Sequence, residues 1–127
     1  MSTFSTRRAR AHIERLAQEH GIEVRVTKRQ WNAAADERLR TIWVVDPNTP
    51  LRYMIALHEI GHIVDKGARM LGKNGHLPAE EAAAWAWAYN NGDPALLAHM
   101  TPRNWRRVGQ AWVTHLGKRA RSASEYA

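Results

Sequence analysis

The run Leu51-Arg-Tyr-Met-Ile-Ala-Leu-His-Glu-Ile-Gly-His-Ile-Val-Asp65 constrains this chain more than any other segment. It is strongly apolar, yet His58, Glu59 and His62 stand close together within it. A helix that is apolar all round belongs in a core. A core seldom takes three ionisable groups in about one turn without a partner for them. Four residues along an α-helix turn through about 400° and rise about 6 Å. Imidazoles at 58 and 62 therefore leave one face, one turn apart, and can close on a single metal ion. Glu59 lies about 100° round from His58. It is too near in sequence for a comfortable third ligand, but well placed to take a proton from a metal-bound water. The bland alternative, two satisfied histidines and a surface glutamate, leaves the cost of burying all three unanswered.

His58-Glu59-Ile60-Gly61-His62 matches H-E-x-x-H, the helical zinc-binding pattern of metalloproteases. The chain contains no cysteine, which excludes disulfides and thiolate zinc sites. Zinc here must use histidine and carboxylate, the ligand style of catalytic sites. Such sites hold three protein ligands and leave a position open. Glu80 and Glu81, 18 and 19 residues after His62, are the candidates for the third. They lie about 100° apart on one helix, so only one can face the metal easily, while the other suits the positive end of the helix dipole. Asp65, on the ligand face one turn after His62, is a further candidate for ligand or orienting partner. His76 is another, as a ligand or as a hydrogen-bond donor to the transition-state oxyanion. Tyr89, His99 and His115 are within sequence reach, but nothing selects among them. His12 and His20 read as surface residues of the first helix.

The length, 127 residues, fits one domain over 1–127, with 119–127 a fraying tail. Periodicity predicts an amphipathic helix over 6–20, ended by Gly21. Strands follow at 22–27 and 39–45, the stretch between them being ambiguous. Thr49-Pro50 starts a helix over 50–66. A loop to Gly75 precedes helices at 78–91, after Asp93-Pro94, and from Pro102. In the last helix Trp105, Val108, Trp112, Val113 and Leu116 share a face expected in the core. Trp43 and Trp85 are also expected to pack there; for Trp31 and Trp87 packing is preferred over the alternative of lining a peptide groove. This order is α+β.

Ala56-Leu57-His58-Glu59-Ile60-Gly61-His62, followed by Glu81-Ala82-Ala83-Ala84-Trp85-Ala86, resembles the gluzincin-type ImmA/IrrE metallopeptidase family. Its members show H-E-[IL]-G-H, then a helix of form E-A-x-x-[FW]-A. The resemblance covers roughly residues 10–90. The chain departs from the pattern at Ala83, which is usually polar, and at Tyr89-Asn-Asn-Gly92, where Leu-Met-Pro often stands. The resemblance implies a zincin-like fold with a small antiparallel sheet, an N-terminal helix, the H-E-x-x-H helix, a glutamate-bearing helix and C-terminal helices. It implies zinc held by His58, His62 and Glu81, with Glu80 as alternate and Glu59 as general base. The implied activity is hydrolysis of a peptide bond in an intracellular protein, of the kind of a phage or mobile-element regulator or repressor.

The net charge of +7 favours an acidic protein or peptide partner. Nucleic acid is a less favoured partner, because no recognised nucleic-acid motif accompanies the charge. The rival function is a catalytically silent module that binds an acidic protein or nucleic acid through Arg103, Arg106, Arg107, Lys118, Arg119 and Arg121. The N-terminus lacks the apolar stretch of a secretory signal, and no segment approaches a membrane span, so a cytoplasmic protein is expected.

Overall fold

The computed structural model describes residues 3–29, 32–68 and 78–109. Helix α1 spans Thr6–Glu19, with Ser5 as its N-cap accepting from the Arg8 amide. Its apolar stripe of Ala9, Ile13, Leu16 and Ala17 is buried. Gly21 ends it with a φ of 64°, a conformation that costs glycine no steric penalty. Strand β1, Glu23–Val26, then runs beside the centre of a three-stranded sheet.

The sheet corrects one expectation: it is mixed rather than antiparallel. Its order is β1-β3-β2, with β2 at Ala34–Asp36 and β3 at Thr41–Val44. β3 is parallel to β1, with Val24 opposite Ile42, and antiparallel to β2, with Ala35 opposite Ile42. The reason is connectivity. After β1 the chain travels to the far edge, lays down β2 and returns through the turn at 37–40 into the vacant middle. That turn is held by the Leu39 amide on Asp36 Oδ1 at 3.0 Å, and Arg40 closes it at a φ of 50°. The strand β2 occupies the stretch that periodicity left ambiguous. As an edge strand, β1 leaves Val26 78% exposed, so its alternation does not bury a full face.

Helix α2, Pro50–Val64, is capped by Thr49, whose hydroxyl accepts from the Arg52 amide. It packs against α1, β3 and helix α3, Pro78–Asn91, and every residue from Tyr53 to Ile63 is buried. A short 3-10 turn, Lys66–Ala68, follows Asp65, so the helix stops two residues before the expected 66. Asp93 caps the short helix α4, Pro94–Leu97, and residues 102–109 are helical. The rest of the expected last helix, with Trp112, His115 and Leu116, lies outside the described residues, as do Trp31 and the 119–127 tail.

Two packing expectations are overturned. Trp105 is 37% exposed, not a core residue, because helix 102–109 sits at the rim beside exposed Tyr89. His12 is buried, not superficial. Its Nδ1 lies 2.5 Å from the Tyr53 hydroxyl, which itself accepts from the Asp93 amide at 2.8 Å. With the amide accepted, the hydroxyl proton is available to His12 Nδ1, an arrangement that suits the Nε2–H tautomer of the ring. Burial lowers the His12 pKa and pushes Tyr53 up to about 12. This hydrogen-bonded trio ties α1, α2 and the start of α4 together.

Candidate metal centre

Gly61 is what lets α3 approach α2. A Cβ there would meet the Ala84 carbonyl oxygen at 3.0 Å and Trp87 Cε3 at 3.3 Å. With the two backbones this close, the turn before Ala84 lies over the turn that carries His58 and His62. Glu81 stands in that turn.

The geometry separates the two glutamates. Both are buried, but Glu81 is the one that meets the histidines. Its Oε2 lies 2.9 Å from His58 Nε2 and its Oε1 lies 3.0 Å from His62 Nε2. The two Nε2 atoms are 3.1 Å apart. Donors bound tetrahedrally at zinc–ligand distances would stand about 3.3 Å apart. The cluster therefore has the span to close on one ion with shifts of a few tenths of an ångström.

The proton inventory points the same way. His62 Nδ1 is 2.7 Å from the Ala68 carbonyl oxygen, which can only accept, so Nδ1 carries a proton and Nε2 is the nitrogen turned towards Glu81 and His58. This carbonyl orients His62 as the partners of metal-bound histidines do. His58 lies between two carboxylates, with Nδ1 2.9 Å from Glu59 Oε1. Burial opposes its charge, but Glu59 and Glu81 outweigh burial and raise its pKa to about 9. Glu81 moves the opposite way: burial resists ionisation, and the two histidines hold its carboxyl well below the usual range. In the metal-free protein, a proton on His58 Nε2 thus faces Glu81 Oε2 at 2.9 Å, with His62 Nε2 at 3.1 Å. Lone pairs converge on a point that needs positive charge, and the donor set suits a divalent ion such as zinc.

His58, Glu59 and His62 together also present ligand atoms within 4.8 Å of one another. Glu59, however, holds Nδ1 of its neighbour, whereas Glu81 spans both Nε2 atoms, so the second set converges more tightly. The Glu59 carboxylate is buried beside the cluster with Oε1 committed to His58.

The other sequence candidates fall elsewhere or cannot be placed. Asp65 is the C-cap of α2 through its amide on the Gly61 carbonyl, and its Oδ1 accepts from the Gly67 amide at 2.8 Å in the following turn. Tyr89 is 62% exposed beside Trp105, and His99 packs edge-on to Phe4. His20 lies edge-on to Trp87. His76 and His115 lie outside the described residues.

One participant escaped the sequence reading. Trp85 was expected simply to pack in the core, but its indole lies flat on the His58 ring, with centroids 3.8 Å apart and planes 21° from parallel. An aromatic face against an imidazolium is favourable. The signal was its position four after Glu81, which places both on one face of α3.

Among the described residues no helix is long and apolar enough to cross a membrane. Comparison with protein-family models, curated proteins and solved structures finds no match.

Proposed function

We propose that this chain is a zinc-dependent metallopeptidase with a zincin-like fold, of the ImmA/IrrE-like kind, acting on a peptide bond of an intracellular protein. The observation that carries the reading is the buried convergence of His58 Nε2, His62 Nε2 and the Glu81 carboxylate, with one Glu81 oxygen 2.9 Å from the first, the other 3.0 Å from the second, and the two nitrogens 3.1 Å apart. His58, His62 and Glu81 would hold the ion. A divalent ion so held supplies Lewis acidity, polarising a carbonyl and making water nucleophilic near neutral pH. Other divalent ions also suit two histidines and a carboxylate.

The chain's own groups supply the rest. Glu59 is the general base, taking the proton of the attacking water and returning it to the leaving amine. The His58 Nδ1–H on Oε1 holds its carboxylate in place and leaves Oε2 to carry the proton. The Ala68 carbonyl keeps His62 in its ligand tautomer. The surrounding apolar side chains of α2 exclude bulk water and strengthen each electrostatic contact.

The test is Glu59→Gln in the zinc-loaded protein, with zinc content and cleavage of a proteome-derived peptide mixture measured side by side. The variant should keep its zinc and lose roughly 10²–10⁴-fold in rate. Cleavage equal to the parent's would remove Glu59 from the mechanism.

A second reading, a catalytically silent module for an acidic partner or nucleic acid, has one observation behind it. Helix 102–109 exposes Arg103, Arg106 and Arg107 beside Trp105. Lys118, Arg119 and Arg121 lie outside the described residues. Nucleic-acid binding of this kind should weaken steeply with salt. Weak binding that ignores salt would eliminate it.

A further inference from the structure

Trp85 joins the histidine–glutamate cluster to an apolar pocket. One side of its ring system covers His58. Its Nε1–H is sealed from solvent and finds no acceptor among the described residues. A buried tryptophan usually brings its N–H to a partner. Here the indole is placed by the imidazole it covers rather than by its own hydrogen bond. Trp85 also forms a wall of a pocket of about 210 Å³, completed by Ala82, Val108 and Gly109.

We propose that this pocket is the subsite for an apolar side chain of the substrate peptide next to the scissile bond, and that Trp85 sets the preference. The proposal rests on the metallopeptidase reading. The occupant follows from three features. The pocket shares Trp85 with His58 of the candidate centre, so a side chain seated there packs against the indole that covers a candidate ligand. Among the described residues its lining is uncharged, and an ionised side chain there would shed water without gaining a partner from them. Its volume suits one aliphatic or aromatic side chain rather than a folded partner.

The test uses the full chain loaded with zinc and a series of succinyl hydroxamates, with binding measured by calorimetry. The hydroxamate anchors each probe at the metal, so differences between probes report the pocket. Isobutyl or benzyl beside the hydroxamate should tighten binding about tenfold or more over hydrogen. A carboxymethyl group should bring no gain. Val108→Trp fills the pocket and should erase the apolar gain while the unsubstituted hydroxamate binds as before. Ala82→Phe, on an exposed position of α3, fills it from the other wall and serves if the first variant does not fold. Equal affinity for all probes, or a gain that survives the filled pocket, overturns the subsite and leaves the metal reading standing. If no hydroxamate binds the zinc-loaded protein, metal centre and subsite fall together.

Discussion

The Glu81 carboxylate reaches His58 Nε2 at 2.9 Å across 23 positions of sequence, and its other oxygen reaches His62. This contact converts a two-histidine motif into a three-residue cluster. It also distinguishes Glu81 from Glu80, its neighbour, which is buried as well.

Removing Glu81 should therefore cost more metal affinity than any other change on α3. Glu81→Ala should weaken zinc binding by more than the roughly 10–100-fold that outer partners of a metal site contribute. Glu80→Gln should keep full stoichiometry. Elemental analysis and a chelator competition on both variants check this, and loss of zinc from Glu80→Gln alone would reverse the assignment.

Metal and proton compete for His58. Its pKa of about 9 without metal means that binding near neutral pH must displace a proton. Zinc affinity should then rise about tenfold per pH unit from 7 towards 9. The metal-free fold responds with the opposite sign. A histidine whose pKa is raised on folding contributes stability that is complete below its unfolded value of 6.5 and is lost as pH rises through about 9. Chelator competition and urea unfolding of the metal-free protein at several pH values should show these opposing slopes. A pH-independent affinity would show that no proton is displaced.

The Tyr53 hydroxyl serves two partners away from the cluster, His12 and the Asp93 amide. Tyr53→Phe leaves both unsatisfied and should destabilise the fold by about 1–3 kcal/mol. Zinc content should not change. His12 adds a pH dependence of its own. Burial lowers its pKa, so its contribution is intact above the unfolded value of 6.5 and declines as pH falls below it. Urea unfolding at pH 7.5 and 5.5 measures both effects, and an unchanged midpoint in the variant would contradict the hydrogen-bond assignment.

Gly61 sets the spacing of α2 and α3. Gly61→Val would drive a branched side chain into the Ala84 carbonyl and Trp87, separating the helices. A loss of about 1–3 kcal/mol is expected from overpacking. Zinc affinity should fall with it, because Glu81 rides on α3. A variant that is destabilised but binds zinc normally would show that the cluster tolerates the displacement.

Much of this was legible in the sequence because it is local. The extents of α1 and α3 follow from Gly21, Pro78 and the apolar periodicity. Thr49-Pro50 marks the start of α2. The pairing of His58 with His62 follows from helical pitch alone. Spacing put Glu80 and Glu81 ahead of Asp65 and His76 as the third residue of the cluster, and a family resemblance selected Glu81.

What the sequence could not determine is non-local. Strand β2 is three residues long and contains two alanines, too little pattern to reveal it, and its insertion at the sheet edge makes β1 and β3 parallel. His12 looks like a polar residue on a helix until Tyr53 and Asp93 close over it. Trp85 reads as core filling until α3 settles on Gly61 and brings the indole flat onto His58. Sequence determined which residues share a helix face, because backbone geometry repeats with a fixed period. Tertiary structure decided which faces meet, because that depends on how closely two backbones can approach, and here Gly61 marks the point of close approach.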